Sequence, residues 1–422
     1  MRVVLSHVGI RNIGFDAFER LFAPGFDNLD SFIVPYGMVT LGGILKAKGH
    51  EVEYLDLRMV KGWDEVESFL RDFKPQVLGC GFQTPNREFA IDLCALARTL
   101  GIVTVVGGPH VSCVPADAEG IDAFDHVVVG EGDLVLPELL EAVGRGAKPP
   151  KMIRAEPVAE IESIPLPYLS PIYESLIKRK GCGFIVTSRG CPGRCKYCQP
   201  VQKTIYGPRV KLRSAENVIR EMTHYQEAFG VRKFFIMDDM FIVNRKRVNE
   251  FCQIMQDRKL DMEYDISARV DYFDEDLAER LAATGCNLIS FGFESGSNHK
   301  LQLMHKQTTR EQNLAAGMIW KKFNRLLLAN MLFAIPGETE EDLAEDYSFI
   351  DILRPTMVYF NRMVPFPGSA YFDELLAAGM LATTDFSKYE MNVVRSTPLV
   401  KNVDYAMVDR WEEKFNELRK KL

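Results

Sequence analysis

The 422-residue sequence predicts two consecutive α/β domains: a doubly wound parallel sheet over residues 1–145 and a partial (β/α)6 barrel over residues 181–370. Three observations carry this reading. Short β-branched runs alternate with helical patterns through both halves. The alternation breaks once, where Gly144-Arg145-Gly146-Ala147-Lys148-Pro149-Pro150 and Ile164-Pro165-Leu166-Pro167 read as a linker over 146–180. Glycines gather at the carboxyl ends of the strands of the first half, at Gly79, Gly81, Gly107-Gly108 and Gly130-Glu131-Gly132.

In the first domain the strands are predicted at 2–8, 51–56, 76–82, 102–106 and 125–129, with helices at 37–48, 64–73, 86–100 and 134–143. Such a Rossmann-like sheet binds its ligand beyond the carboxyl ends of the strands. In the second domain the strands fall at 183–188, 232–237, 262–267, 287–293, 326–334 and 357–362. Helices at 215–228, 245–258, 275–284, 310–323 and 340–353 follow the first five. Six units make an open barrel, and its active site is expected at the C-terminal strand ends. Residues 371–422 read as a helical extension ending in a charged helix.

Composition narrows the function classes. Hydrophobic residues make up 47% and charged residues 26%, the proportions of a globular protein with sizeable cores. No apolar run is long enough to span a bilayer and no basic amphipathic helix is visible, so no membrane partner is expected. A net charge of −7 without basic blocks argues against a nucleic-acid partner. A strand begins at once after Met1 with no small-residue cleavage site, which predicts no signal or transit peptide and a cytoplasmic location. Nine cysteines, an odd number, do not suggest a disulfide framework. Six of them, Cys80, Cys94, Cys113, Cys182, Cys252 and Cys286, are scattered and read as small hydrophobes.

The other three form the strongest signal in the chain. Ser188-Arg189-Gly190-Cys191-Pro192-Gly193-Arg194-Cys195-Lys196-Tyr197-Cys198 follows the first strand of the second domain. The C-x3-C-x2-C spacing puts three thiolates on one tight loop, enough for three irons of a [4Fe–4S] cube with the fourth iron left open. A zinc knuckle is the competing reading, but structural zinc takes four ligands, and neither a second cysteine pair nor a nearby histidine is present.

On these residues the second domain resembles the radical S-adenosylmethionine (SAM) enzymes. The resemblance implies a [4Fe–4S] cluster at Cys191, Cys195 and Cys198, SAM at its open iron, and reductive cleavage of SAM to a 5′-deoxyadenosyl radical. It also implies an electron donor such as ferredoxin or flavodoxin. Further positions match the SAM-binding pattern of that family. Tyr197 fills the adenine-contacting aromatic slot, and Asp238-Asp239 replaces the Gly-Gly-Glu that holds the SAM amino group, as in cobalamin-dependent members. Arg269 is placed to pair with the SAM carboxylate in a bidentate way, and Glu294 to hold ribose hydroxyls or the amino group. Gly337, in Ile335-Pro336-Gly337-Glu338-Thr339, lies in the turn that backs adenine.

The first domain lacks a G-x-G-x-x-G after its first strand, where Ser6-His7-Val8-Gly9-Ile10 stands instead. With its glycine turns it resembles the cobalamin-binding domain found ahead of many radical SAM cores. Gly107, Gly108, His110, Gly130, Glu131 and Gly132 are then candidate cobalamin contacts. Where cobalamin mutases carry the cobalt-ligating D-x-H-x-x-G, this chain reads Asp56-Leu57-Arg58-Met59-Val60-Lys61. A protonated guanidinium cannot ligate cobalt, so the lower face is expected to lack a histidine from this motif, with His7 and His110 as the alternatives. Together these resemblances imply a class B type, cobalamin-dependent radical SAM C-methyltransferase. Its acceptor is expected to be a protein or peptide rather than a small molecule, with size and layout pointing to the α-carbon of a glutamine in methyl-coenzyme M reductase. The alternatives are an oxidative cyclase or other tetrapyrrole-modifying enzyme and, in another class, a non-catalytic cobalamin carrier or sensor. The sequence identifies no catalytic base.

Overall fold

The structure, a computed structural model, describes residues 1–9, 15, 34–198, 204–389 and 398–422. It divides into two compact units, one of residues 1–176 with 204–209 and 385–388, the other of 177–198, 210–384 and the described residues from 398 on, with Tyr389. The predicted linker therefore folds. Most of 146–180 joins the first unit, and it contributes a strand, Met152–Arg154, and a helix, Pro171–Lys180. Three residues after a Pro-Pro pair are too few to show a periodicity, which is why the strand was missed.

The first unit is one parallel sheet of β1 (Arg2–His7), β2 (Glu51–Asp56), β3 (Val77–Gly81), β4 (Val103–Gly107), β5 (His126–Val129) and β6 (Met152–Arg154). Strand order is β2-β1-β3-β4-β5-β6. The strands are apolar on both faces because helices cover both: Val3, Val4, Val77 and Leu78 have no exposed surface. Helix Arg87–Thr99 contributes Ala90, Leu93, Cys94 and Ala97 to the core, the spacing of one helical face. The chain leaves β1 toward β2 and returns on the other side as β3, so the topological switch point lies at the ends of β1 and β3.

The second unit holds β7 (Cys182–Ile185), the short antiparallel pair β8 (Ser188–Arg189) and β9 (Lys211–Leu212), then β10 (Lys233–Ile236), β11 (Glu263–Ala268), β12 (Cys286–Glu294), β13 (Leu326–Phe333) and β14 (Met357–Arg362). The parallel sheet runs β14-β13-β12-β11-β10-β7, six strands in sequence order with two unpaired edges. This is the open six-unit barrel that the sequence predicts. The helices between strands begin on side-chain caps, such as Ser214, Asn244, Asp274 and Thr339. The last helix, Tyr405–Arg419, sets Trp411 and Phe415 against Phe333 and Leu343, and Arg362 on β14 pairs with Glu412 at 2.6 Å. Among the described residues no helix is long and apolar enough to cross a membrane.

Candidate functional site

The three cysteines sit on the loop after β8, at the C-terminal end of the second sheet. The loop is anchored from below by Asp238, two residues after β10. Its Oδ1 accepts the backbone N–H groups of Thr187 (2.5 Å) and Ser188 (3.0 Å), and its Oδ2 accepts the hydroxyls of Thr187 and Ser188, the latter at 2.6 Å. Arg247 adds bonds to the Thr187 carbonyl and hydroxyl, each 2.9 Å. Four donors fill the acceptor positions of one carboxylate. Asp238 is thus not available to a SAM amino group, as the sequence reading had it; it fixes the strand-to-loop junction three residues ahead of Cys191. Asp239 is the exposed member of the pair, and its charge reaches the Cys191 thiol.

From the other side the loop is held by the Met304 carbonyl, which accepts from Lys196 N at 3.0 Å, and by Tyr371 N, which donates to the Lys196 carbonyl at 3.1 Å. The start of the helical extension is therefore part of the site's frame. Burial pushes the Cys191 thiol up against the lowering effect of the Gly193 N–H, and the charges of Asp239 and Cys195 add to it. Cysteine binds a metal centre as the thiolate, so such a centre would supply the positive charge that favours ionisation here. A single tetrahedral ion with sulfur at about 2.3 Å pulls its ligands to within about 4 Å of one another. A structural zinc site takes four such ligands, and this loop offers three thiols. The donor set fits three corners of an iron–sulfur cube instead.

Around the loop the strand ends converge. Arg269, after β11, is buried and aims Nη1 at the Cys195 sulfur at 3.4 Å. Its Nε and Nη2 are already engaged by Asp271 at 3.0 and 2.9 Å, so the bidentate pairing with a SAM carboxylate expected from the sequence is not open in this geometry. At the end of β12 the register shifts between Gly292 and Glu294, and Glu294 takes a φ of +65°, rare for a residue with a side chain. Its carboxylate faces Lys306 at 3.5 Å, and Lys306 Nζ donates to the Tyr197 hydroxyl at 3.2 Å. Burial, then the charge of Glu294 and the thiols, pushes the Tyr197 phenol well above its ordinary range and keeps it protonated. Lys306 escaped the sequence reading because nothing in Met304-His305-Lys306-Gln307 distinguishes it from a surface loop. Only the backbone shows a signal: His305 and Gln307 on either side have φ of +49° and +62°. Gly337 lies in an exposed turn after β13 with φ +86°, braced by the buried Glu338–Lys300 pair at 2.8 Å.

Gly292 leaves room for this arrangement. A Cβ there would lie 2.6 Å from Glu294 Oε1 and 3.1 Å from Lys306 Nζ. Both are ends of flexible side chains, so Gly292→Ala is expected to leave the thermal midpoint nearly unchanged while weakening SAM binding about tenfold, ~1.4 kcal/mol, in equilibrium dialysis.

In the first unit the structure revises most candidate contacts. His110 is buried, with Nδ1 at 3.0 Å from Thr84 Oγ1 and Nε2 at 3.2 Å from Asp117 Oδ2, between the rings of Phe82 and Phe386. Both nitrogens are occupied, so it is neither a cobalt ligand nor a loop histidine at a corrin edge. Gly108 and Gly130 have φ of +94° and +101°, and a Cβ on either would strike protein backbone, at Phe82 and Ala155. Gly107 likewise faces the Val128 carbonyl, and Gly132 opens a helix against Leu41. Glu131 is buried and accepts Val158 N at 2.6 Å, which ties the segment after β6 to the sheet. Each of these residues thus has close neighbours within the protein.

Arg58 stands in the helical turn Leu57–Met59 just after β2 and forms a buried pair with Asp56 at 2.6 Å; Tyr173 donates to the same carboxylate at 2.9 Å. Burial works against the Asp56 charge, but Arg58 outweighs it and holds the carboxyl at about 2. The arginine is committed to that pair and cannot ligate a metal. At the switch point beside it Gly81, which ends β3, is exposed, with no atom of the described residues within 4 Å of a Cβ position. His7 ends β1 here, while Ile10 of its loop lies outside the described residues. Burial, then the Arg58 charge, lowers His7 from 6.5 to about 4. The unfolded chain takes up that proton first, so stability is full above about 6.5 and is lost as pH falls toward 4, by up to ~1.4 kcal/mol per unit. We expect the thermal midpoint to drop over this window and His7→Gln to flatten the drop; identical curves would remove His7 as the cause.

Comparison with known proteins agrees with this geometry. Residues 185–350 match the profile of the radical SAM superfamily, and residues 25–140 match that of the B12 binding domain. The chain joins a B12-binding domain to a radical SAM domain. These domains take cobalamin and a [4Fe–4S] cluster with SAM, respectively. An uncharacterised methyltransferase of Pyrococcus horikoshii is 27% identical over 84% of this chain and 81% of its own length. The anaerobic magnesium-protoporphyrin IX monomethyl ester cyclase of Rubrivivax gelatinosus is 28% identical over 87% of this chain and 70% of its own. The bacteriochlorophyllide d C-12(1)-methyltransferase of Chlorobaculum tepidum is 26% identical over 82% and 74%. Among solved structures, the radical SAM methyltransferase TsrM from Kitasatospora setae superposes with a TM-score of 0.73 at 21% identity, over 90% of this chain and 77% of its own. The cobalamin-dependent enzyme OxsB gives 0.78 at 18%, over 98% and 66%. The fold is that of these two structures.

Proposed function

We propose that the protein is a cobalamin-dependent radical SAM C-methyltransferase. The observation that carries the proposal is the three-cysteine loop, locked at the strand ends of an open barrel, on the same chain as a B12-binding sheet whose D-x-H position is Arg58. When bound, the cluster with SAM supplies a carbon-centred radical and cobalamin a transferable methyl group. Cys191, Cys195 and Cys198 hold three irons. Asp239 and Glu294 are the carboxylates that would meet an ammonium or ribose hydroxyls, and Lys306 would keep Tyr197 oriented against the ligand. The turn around Gly337 forms the wall for a flat ring.

The acceptor carbon we assign is the α-carbon of a glutamine in a protein, with methyl-coenzyme M reductase as the specific case. Size and layout support it. The names of the Rubrivivax and Chlorobaculum relatives favour a second reading, a tetrapyrrole as the compound modified or cyclised. Anaerobic incubation with methyl-deuterated SAM, cobalamin and a glutamine peptide or a porphyrin separates them. Labelled methyl in the peptide supports the first reading, and turnover of the porphyrin alone supports the second. A chain that binds cobalamin and never cleaves SAM would be a carrier, leaving its cysteine loop without use.

A further inference from the structure

We propose that Arg269 tunes the reduction potential of the cluster through an N–H···S hydrogen bond to Cys195. This rests on reading the cysteine loop as a cluster site. Arginine has five N–H donors in a rigid plane. Nε and one Nη2 proton go to Asp271, and Nη2 also donates to the Lys306 carbonyl at 3.0 Å. Those three bonds fix the plane of the guanidinium, and with it the direction of Nη1, which meets the Cys195 sulfur at 3.4 Å. The Arg269 side chain is 9% exposed against 26% for Asp271, so the cation is the more buried partner and Asp271 screens it mainly from the solvent side. The loop is shaped for this approach: a Cβ on Gly193 would lie 3.4 Å from both Arg269 Nη1 and the Cys191 sulfur. Arg269 is therefore a positioning residue for the electron, acting through a ligand sulfur.

The consequence is electrostatic. On reduction the cluster gains one electron from an external low-potential donor, no bond breaks, and its sulfurs become more negative. A fixed N–H donor carrying positive charge favours the reduced state more than the oxidised one, and hydrogen bonds to cluster sulfurs are among the determinants of potential. Without Arg269 the cluster becomes harder to reduce.

The test uses the full chain, reconstituted anaerobically with iron and sulfide and titrated with dithionite without SAM, with the reduced cluster followed by electron paramagnetic resonance. At the poise that half-reduces the wild type, Arg269→Gln is expected to lower the reduced-to-oxidised ratio about tenfold, ~59 mV for one electron. Arg269→Lys, which keeps the charge and loses the fixed plane, should shift less and in the same direction. In wild-type protein labelled with 15N-arginine, the reduced cluster should show a nitrogen coupling that both variants lack. Unchanged potentials in both variants, with only SAM affinity reduced, overturn the proposal and return Arg269 to the SAM carboxylate. If Arg269→Gln takes up no iron, the labelled wild type decides, and absence of coupling overturns the proposal. A wild type that takes up no cluster at all overturns the cluster reading itself, a separate result.

Discussion

Cys195→Ala is expected to abolish cluster assembly and SAM cleavage together. Iron after anaerobic reconstitution should fall well below about four per chain, the charge-transfer absorption should disappear, and 5′-deoxyadenosine release should drop by about 10³-fold or more, ~4 kcal/mol in barrier. Two thiolates cannot hold three corners of a cube. Of the other six cysteines, Cys80, Cys94, Cys252 and Cys286 are buried, Cys113 lies on a short helix of the first unit, and burial pushes Cys80 up to about 12 and Cys182 up to about 11. Cys182→Ala is the matched control and should load iron as the wild type does. If Cys195→Ala still cleaves SAM, the cluster assignment fails.

The second large effect separates two adjacent carboxylates. Asp238→Ala leaves the Thr187 and Ser188 N–H groups without their acceptor and Arg247 beside an empty space in the interior. Removing one partner of a buried charged network costs about 3–5 kcal/mol. We expect a lower thermal midpoint and little iron uptake, because β8 and the loop behind it lose their anchor. Asp238→Asn should be far milder. Its remaining oxygen can keep both backbone N–H groups, while its amide faces two hydroxyls that can turn to accept. Asp239→Ala, on an exposed residue, should load iron normally and lose SAM affinity. Iron content, melting and SAM dialysis on the three variants settle the division. Equal behaviour of Asp238→Ala and Asp239→Ala would contradict it.

That division shows what reading along the chain can reach. Strand and helix patterns gave eleven of the twelve parallel strands to within a few residues, all but Met152–Arg154, since buried strands of a parallel sheet are continuous apolar runs and the helices carry their own caps. The C-x3-C-x2-C loop was legible because its chemistry is local: three ligands within eight residues, with no tertiary contact required to recognise them. The roles of single residues around it were not. Asp238 and Asp239 are chemically alike and adjacent; which one turns inward depends on Thr187 and Ser188, some fifty residues earlier. Arg269 looked free to clamp a carboxylate until Asp271 and Lys306 were seen to occupy its fork. Nor could the sequence show that both ring nitrogens of His110 meet Thr84 and Asp117, or that Gly108 and Gly130 lie against the backbone of Phe82 and Ala155.

The sequence by itself determined the order of the two α/β domains, the three-cysteine loop and the arginine at the position where cobalamin mutases carry a histidine. Each of these is encoded within a short stretch, where residue type and spacing are the physics. Only the tertiary structure decided that Asp238 is an anchor, that Lys306 stands between Tyr197 and Glu294, that residues 146–176 are folded into the first unit, and that Arg269 points at a sulfur. These depend on which side chains reach a buried polar group first, and that competition is settled by packing between segments distant in the chain.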